Sequence, residues 1–488
     1  RQMCIRDSSY SDTNAKGEGI SSAYLIGSIR SLYPKLEIEG GAGVRPHKNS
    51  INNYCYPESP EAGIDLFLEK LVQETEKEHE DILEQADETD AMFGELYSWY
   101  LRNPEYRSRV QKLVQSAFAG KPEDIISQSV AKALYGEVSP YSATRLERFA
   151  ACAFAHFLQY GMKLTERVEY EFKPMDMGNV MHEALESFAE EVRKRGMKWT
   201  ELTEQERNEI ADRCLDNIVA DYGNTVLKSS ARNEYMIERT RRILRRTVWA
   251  LQKQLEQGEF QPEGFEVTFG GGRIDRVDIM EDQNKVYVKV IDYKTGNTSF
   301  DLVYLYHGLQ LQLMIYLDGA LRVEQKKYPD KEIIPAGVFY YNIKDPMIQE
   351  KIDADVEAVS AGLMKELKMN GLVQADPELV YRMDSSLGSI PVAFNKDGSF
   401  RKNSSVADRT QFAVLGRYVR TKIEKIRSSI LEGDAEVSPY ELGKKNACTY
   451  CPYMTVCGFD RRLSGYEFRR LKNFSDEELW KAFDREAE

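Results

Sequence analysis

Long apolar segments, histidine and cysteine are scarce in this sequence of 488 residues, which contains 5 histidines and 7 cysteines. No apolar run is long enough to span a bilayer, so no membrane role is indicated. Seven cysteines are too few for a disulfide scaffold, and three of them lie between positions 448 and 457. A compartment that keeps thiols reduced would leave these three free to bind metal, and we therefore expect a cytoplasmic protein.

Positive charge does not dominate either, because 79 acidic residues outnumber 66 lysines and arginines and the net charge is -13. This balance argues against a partner that is bound by charge alone, such as duplex DNA. Basic residues cluster at 239–246 and 401–427, and we interpret both clusters as solvated helix faces. The length predicts two or three domains. The chain starts without methionine and is expected to be part of a longer protein.

Hydrophobic periodicity predicts an α/β core with helices before and after it. Strands are predicted at 265–279, 285–294 and 333–342, with a helix at 304–317 between the last two and an additional strand at 166–172. Helices are also predicted over 62–131, with breaks near Pro104 and Pro122, and from the N-cap Ser142 through Phe157. Further helices are predicted at 178–194, in long segments through Arg246 and Leu255, and at 407–431. A capping box at Ser475 predicts a last helix after it.

Two carboxylates and a lysine are candidates for a metal-dependent active site. Asp292 and Lys294 are two residues apart, so their side chains share one face of the predicted strand. Asp275 lies in the preceding strand, and two carboxylates on rigid strands suit Mg2+ or Mn2+. Such a centre can hydrolyse a phosphodiester, with Lys294 offsetting charge in the transition state. Asp278 competes with Asp275, but the two face opposite ways, so only one can face Asp292.

Three more polar residues are candidates for the same site. His182 precedes Glu186 by one turn of a predicted helix and is a candidate third metal ligand, although most such histidines are surface or core residues. Gln312 and Tyr316 share a helix face directly after the strand at 285–294. A buried polar pair there would need partners, which predicts contact with the site or with DNA phosphate. Gln310 stays open as an alternative to Gln312.

The strongest local signal is the cluster Cys448-x2-Cys451-x5-Cys457 near the C-terminus. Three thiolates need a fourth ligand to complete a metal centre. Cys152, on a predicted helix rich in aromatic residues, is the best candidate, and Cys214 is the alternative. Spacing alone does not separate a four-iron cluster from a zinc site with four cysteines.

Together these motifs resemble the nuclease domain of the B subunit of AddAB-type helicase-nucleases, in the RecB-like branch of the PD-(D/E)XK nucleases. The matching segments are Gly178 to His182 for the family's Gly-x3-His motif, Gly272 to Asp275 for Gly-x-x-Asp, Asp292 to Lys294 for Asp-x-Lys, and Gln312 to Tyr316 for Gln-x3-Tyr. The segment 142–157 looks like the one that donates the first cysteine of a four-iron, four-sulfur cluster. Cys448, Cys451 and Cys457 match the other three.

The resemblance implies a restriction-endonuclease-like PD-(D/E)XK core with helical additions and a C-terminal segment pinned by an iron-sulfur cluster. It implies catalytic roles for Asp275, Asp292, Lys294, Gln312 and Tyr316, with His182, Asp275 and Asp292 holding the metal. The implied domains are 1–8, expected to be non-native; 9–60, the end of a helicase-like module; 61–137, a helical connecting region; 138–465, the nuclease domain; and 466–488, a C-terminal helix.

The implied function is a Mg2+-dependent DNA nuclease that works with a helicase subunit of AddA type on double-strand DNA ends during recombinational repair. Two alternatives stay open: a free-standing RecB-like single-strand exonuclease, and a catalytically silent iron-sulfur scaffold that binds DNA. Residues 9–60 argue against the first, and the catalytic set argues against the second. The chain has no Gly-x4-Gly-Lys-Ser/Thr motif, so nothing in it indicates ATP binding.

Overall fold

A computed structural model describes residues 24–34, 59–76, 88–117, 125–136, 142–165, 174–221, 230–270, 272–348, 355–463 and 465–487. The chain divides into two compact units, Arg1–Ala117 and Phe118–Glu488. Within the described ranges, no helix has the length and apolarity needed to cross a membrane. The strand predicted at 166–172, the break predicted near Pro122 and most of 9–60 lie outside the described residues. The functions assigned above to each domain stay predictions.

The described part of the first unit is helical: α1 (Tyr24–Leu32), α2 (Pro60–Glu76), α3 (Glu88–Arg102) and α4 (Pro104–Ala117). Phe67, Tyr100 and Val110 form an apolar core between α2, α3 and α4. The Tyr100 hydroxyl donates a hydrogen bond of 2.6 Å to the carbonyl of Pro60. Proline suits the first position of a helix, where an N–H would have no partner, so the break predicted at Pro104 is confirmed.

The second unit combines helices with two sheets. Its helices among the described residues are α5 (Gln128–Tyr135), α6 (Ala143–Ala151), α7 (Ala153–His156), α8 (Pro174–Lys194), α9 (Glu204–Asp221), α10 (Ala231–Glu256), α11 (Leu302–Tyr306), α12 (Gln312–Lys327), α13 (Val356–Glu366), α14 (Pro377–Met383), α15 (Arg409–Glu432), α16 (Met454–Cys457) and α17 (Asp476–Ala487). The helices predicted at 178–194 and 407–431 correspond to α8 and α15. One of the two hydrogen bonds of the predicted capping box is present before α17, where Glu478 accepts from the backbone N–H of Ser475 and also from its hydroxyl.

The larger sheet has six strands in the order of the chain: β1 (Gln261–Phe269), β2 (Gly272–Asp282), β3 (Lys285–Lys294), β4 (Glu332–Asn342), β5 (Asn370–Gln374) and β6 (Val406–Ala407). β3 and β4 pair in parallel, and β1, β2 and β3 pair antiparallel. One face of the sheet packs on α8, α9 and α10, and the other packs on α6, α12 and α15. Because both faces are covered, β3 and β4 consist of nearly continuous buried residues.

The single strand predicted at 265–279 was wrong, because this segment forms a hairpin. β1 ends at Phe269, β2 begins at Gly272, and these two residues are paired across the turn. The sequence Gly270-Gly-Gly272 suits such a turn, since glycine adopts turn backbone conformations without the steric cost of a Cβ. The hairpin changes which acidic residues become neighbours.

Two predicted helices are interrupted. The helix predicted at 304–317 is two helices, α11 and α12, separated by a turn in which Gly308 has a φ of +78°. The helix predicted from Ser142 through Phe157 begins as expected, with the Ser142 hydroxyl accepting from the N–H of Arg145, but α6 ends at Ala151. Cys152 has an extended backbone with a φ of -166° and is not helical, which turns its side chain out of the helix.

A smaller sheet holds the C-terminal segment together. β7 (Tyr440–Leu442) pairs antiparallel with β8 (Lys445–Asn446) and in parallel with β9 (Arg469–Arg470). Between β8 and β9 lie the three clustered cysteines, predicted as loop; the structure adds the short helix α16 there. The guanidinium of Arg469 donates to the carbonyl of Ala150, the residue two before Cys152. The C-terminal segment therefore contacts the end of α6 directly.

Candidate active site and cysteine centre

Three strands place acidic side chains in one row across the larger sheet. In β1 and β2, Phe265 pairs with Arg276 and Val267 with Ile274, which places Glu266 and Asp275 at corresponding positions between them. In β2 and β3 the pairing ends with Arg276 and Ile291, and Asp275 and Asp292 are the next residues of the two strands; Asp292 in turn pairs with Tyr340 on β4. Asp275 is 8% exposed and Asp292 is 1% exposed. Residues directly opposite each other share a face and lie within contact distance, and like charges in such positions destabilise a sheet, so the row favours a bound cation.

His182 of α8 closes this row from one side. Its Nδ1 lies 3.4 Å from a carboxylate oxygen of Asp275 and 3.8 Å from one of Glu266. The ligand atoms of these three residues all lie within 4.8 Å of one another. The other ring nitrogen, Nε2, lies 3.1 Å from the carbonyl of Tyr293 and donates to it, which leaves Nδ1 directed at the carboxylates. Asp292 lies beside this group rather than within it.

The carboxyl groups of the row are difficult to ionise together without a cation. Burial and then the charge of Asp292 raise the pKa of Asp275 to about 7, although the N–H of Tyr293 donates to it over 2.7 Å. Burial also raises the pKa of Asp292, despite the opposing charge of Lys294. Burial opposes protonation of His182, but Glu266, Asp275 and Asp292 outweigh it and raise the His182 pKa. A divalent ion would remove this repulsion.

A chain of hydrogen bonds runs from Asp292 to helix α12. The Lys294 ammonium lies 2.7 Å from an Asp292 carboxylate oxygen and donates over 2.8 Å to the side-chain carbonyl of Gln312. The amide nitrogen of Gln312 donates over 2.9 Å to the hydroxyl of Tyr316. The ammonium also lies 5.5 Å from the centre of the Tyr340 ring. The structure thus brings together all the catalytic candidates predicted from the sequence.

Glu147 on α6 lies next to Gln312 in this series of contacts, and it was not among the residues predicted from the sequence. Its carboxylate accepts hydrogen bonds from the backbone N–H groups of Leu311, over 2.7 Å, and Gln312, over 3.0 Å. Burial raises the pKa of Glu147 to about 7, although both hydrogen bonds and the charge of Lys294 act against that rise. No sequence signal points to Glu147, because it lies 164 residues before its partner in a helix of ordinary pattern.

The two competing candidates lie elsewhere. Asp278 is fully buried on the opposite face of β2, where it pairs with Arg276 at 2.5 Å and with Lys289 at 3.0 Å. Gln310 donates over 2.7 Å to the carbonyl of Ser299 in the loop before α11. Of Asp275 and Asp278, it is therefore Asp275 that belongs to the acidic row. Of Gln310 and Gln312, it is Gln312 that contacts Lys294 beside that row.

Glu266 was also missed, and a signal for it exists in the sequence. The three glycines at 270–272 indicate a turn, and a hairpin that pairs Phe269 with Gly272 places Glu266 at the position corresponding to Asp275. The continuous strand predicted at 265–279 hid this pairing. Glu266 has a φ of +48°, a conformation that costs a residue with a Cβ on the order of 1–3 kcal/mol and that clusters at functional sites.

Four cysteines line one pocket at the end of α6. Cys152, Cys448, Cys451 and Cys457 contribute to its wall, and the remaining lining among the described residues is mostly apolar or aromatic. Burial and the charges of the other three cysteines raise the pKa of Cys448 to about 12. The alternative, Cys214, is a residue of α9 and is buried in the core that α9 forms with α8. Thiols that oppose each other's ionisation in an apolar pocket fit a metal centre, since bound metal stabilises the thiolates.

The mixed sheet and the carboxylates and lysine on its strands are typical of a nuclease. A comparison with known protein families gives the same class. Residues 140–458 match the PD-(D/E)XK nuclease superfamily, which is most of the second unit. The chain belongs to this superfamily. The predicted fold class is thereby confirmed, with an α/β core, a mixed sheet and additional helices.

Curated relatives extend the similarity over 98% of the chain. It is 38% identical over 503 residues to the B subunit of the ATP-dependent helicase/deoxyribonuclease of Lachnoclostridium phytofermentans. It is 32% identical over 507 residues to the protein of the same name from Alkaliphilus metalliredigens, and 34% identical over 503 residues to that from Thermoanaerobacter sp.. The chain spans 42–43% of the length of these relatives.

Proposed function

We propose that this chain is the nuclease part of a helicase-nuclease and hydrolyses phosphodiester bonds in DNA. The observation that carries the proposal is the row of Glu266, Asp275 and Asp292 beside Lys294, which combines hard oxygen ligands with a cation on rigid strands. This set suits Mg2+ or Mn2+ and the negative charge that develops during phosphodiester hydrolysis. The superfamily match over the same residues supports it.

Asp275, Asp292 and His182 would hold the metal, and Glu266 extends the set that the sequence predicted. When bound, the ion would polarise the phosphate and lower the pKa of a water molecule. His182 presents Nδ1 because its Nε2 is engaged by the Tyr293 carbonyl. The carboxylates come from three neighbouring strands, so their spacing is fixed by the sheet rather than by flexible loops.

Lys294 would act directly on the substrate. Its ammonium forms an ion pair with Asp292 and donates one hydrogen bond to Gln312. Because an ammonium has three hydrogens, it can also donate to a phosphate oxygen or to the attacking water. Tyr316 holds Gln312 from the other side, so the ammonium is kept in one orientation. Gln312 and Tyr316 thus contribute by fixing Lys294, beyond any contact of their own with DNA.

We further propose a four-iron, four-sulfur cluster on Cys152, Cys448, Cys451 and Cys457. These four cysteines line one mostly apolar pocket, with Cys152 directly after α6 and the other three in the C-terminal segment. Four thiolates would also suit zinc, and the resemblance of the four positions to the cluster ligands of the nuclease family is what favours iron and sulfur. The cluster would add to the protein contacts that already hold the C-terminal segment against α6.

The names of the relatives support a partner and a substrate. Each of those proteins is named as the B subunit of an ATP-dependent helicase/deoxyribonuclease, which implies another subunit and DNA. We propose that this chain likewise works with a helicase subunit of AddA type, in the cytoplasm, on double-strand DNA ends that are processed for recombinational repair. The free-standing exonuclease and the silent scaffold are the alternatives that the experiment must separate.

The test combines metal analysis with a cleavage assay. The full-length protein and its helicase partner are purified without oxygen, iron and sulfide are measured, and Mg2+-dependent cleavage of single-stranded and duplex-end DNA is followed. Asp292→Ala should abolish cleavage while leaving iron content and fold unchanged. Asp282→Ala is the matched control, because this carboxylate lies at the exposed end of β2 and pairs with Arg382 on the surface.

Each alternative has its own outcome. Cleavage by the chain alone at the rate of the complex would favour the free-standing exonuclease. DNA binding without cleavage by chain or complex would support the silent scaffold. Normal cutting by Asp292→Ala would refute the site assignment, and zinc in place of iron would refute the cluster.

A further inference from the structure

Helix α12 lacks a cap from its own neighbourhood. Its N-cap position is occupied by Leu311, whose side chain has no acceptor for the N–H groups of the first turn. Glu147 replaces the missing cap from another helix, since its Oε1 atom accepts from the N–H groups of both Leu311 and Gln312. A carboxylate at this position also complements the positive end of the helix dipole. The start of α12 is therefore fixed by a single distant side chain.

The capped residue is the one that contacts the catalytic lysine. Gln312 is the first residue of α12, so loss of the cap would release it before any other residue of the helix. Its side-chain carbonyl accepts the 2.8 Å hydrogen bond from Lys294, and its amide donates to Tyr316. A path of hydrogen bonds thus runs from Glu147 through the backbone of Gln312 to Lys294.

We propose that Glu147 is a positioning residue of the nuclease site, which holds Gln312 on Lys294 by capping α12 from outside. The inference rests on the proposed nuclease function. Among the described residues, the hydrogen bonds of Glu147 go to the backbone of Leu311 and Gln312 rather than to a predicted metal ligand, so its positioning effect on Lys294 passes through Gln312. It adds to the site a residue of the segment 142–157, which the sequence analysis connected only with the cysteine centre.

Two substitutions of Glu147 separate hydrogen bonding from charge. Glu147→Ala removes both acceptors, and we expect kcat for DNA cleavage to fall about tenfold to a hundredfold, because a misplacement of about 1 Å has effects of that size. KM for DNA and for Mg2+ should change less than about threefold. Glu147→Gln keeps an oxygen acceptor at the same place and should restore kcat to within about threefold of wild type.

A matched control exists in α14. Asp376 caps that helix from its own N-cap position, where its carboxylate likewise accepts from two N–H groups, those of Glu378 and Leu379, but α14 carries no residue of the site. Asp376→Ala should therefore lower thermal stability without lowering kcat per folded molecule. A fall in kcat equal to that of Glu147→Ala would show that loss of any helix cap is harmful, which would overturn the positioning role.

A double-mutant cycle tests whether Glu147 acts through Gln312. Glu147→Ala is combined with Gln312→Ala in the full-length protein with its helicase partner. If the path is correct, Glu147→Ala should lower kcat less than about twofold once Gln312 is already alanine, since residues in one network are not additive. An undiminished effect in that background would overturn the proposal.

Hydrogen exchange gives a readout that is independent of cleavage. In Glu147→Ala the amides of residues 311–316 should exchange faster, and Glu147→Gln should restore their protection. Unchanged exchange in Glu147→Ala would overturn the proposal even if activity fell. Asp292→Ala, measured beside these variants, distinguishes failure of the nuclease proposal from failure of the Glu147 proposal. DNA cleavage by Asp292→Ala would count against the proposed nuclease site. The positioning role of Glu147 is judged separately, by hydrogen exchange at the start of α12.

Discussion

Replacing Asp275 by asparagine should stabilise the metal-free protein while destroying the proposed metal site. In the fold, burial and the charge of Asp292 raise the Asp275 pKa from 3.8 to about 7. A pKa difference of one corresponds to about 1.36 kcal/mol, so the ionised carboxylate costs up to about 4 kcal/mol at pH 8. Asparagine removes this cost but retains an oxygen that can accept from the N–H of Tyr293.

The dependence on pH follows from proton linkage. Between pH 3.8 and 7 the unfolded chain binds fewer protons at this position than the folded chain does, so the contribution of Asp275 to stability falls as pH rises. Asp275→Asn should therefore match wild type near pH 4 and exceed it at pH 8. For a unit of this size, about 4 kcal/mol corresponds to a rise in melting temperature of about 5 °C.

The assay is thermal unfolding in EDTA at several pH values, repeated with Mn2+. Mn2+ should stabilise wild type by mass action and leave Asp275→Asn unchanged, so that the order of stability reverses as metal is added. The control is Asp282→Asn at the surface of β2, which should shift neither curve. A variant no more stable than wild type at pH 8 in EDTA, or one that Mn2+ stabilises equally, would refute the reasoning.

Two more substitutions test other parts of the second unit. Cys451→Ala should lose iron and become more sensitive to proteases after residue 440, because a missing ligand breaks a link between the C-terminal segment and Cys152; unchanged iron content and protease resistance would contradict this. Asp278→Asn should lower the free energy of unfolding by about 3–5 kcal/mol, because it leaves Arg276 and Lys289 buried without their counter-ion. The Mn2+ affinity of the folded fraction should be unchanged. A calorimetric titration that shows weakened metal binding would place Asp278 in the site.

Part of the site was readable from the sequence because it depends on local geometry. The strand at 285–294 has the bounds that its pattern predicted, and its two-residue period alone sets Asp292 and Lys294 on one face. The same period separates Asp275 from Asp278. The cysteine spacing and the resemblance to a nuclease family added His182, Gln312, Tyr316 and Cys152, and the structure brings each of these to the predicted neighbourhood.

Element boundaries were predicted less well where a turn interrupts a favourable pattern. The run at 265–279 and the helix at 304–317 each satisfy one periodicity throughout, but the glycines at 270–272 and at 308 allow the chain to turn. A periodic pattern reports which residues prefer burial and does not report where the chain reverses direction.

The sequence by itself determined the class of fold and the carboxylate-lysine pair, because those depend on residue type and on spacing along one element, and the spacing of three cysteines predicted a metal centre. Only the tertiary structure decided that Glu266 joins the acidic row and that Glu147 caps α12. Strand pairing and helix packing join residues far apart in the chain, and no local spacing encodes such contacts. The proposed active site includes both of these long-range contacts.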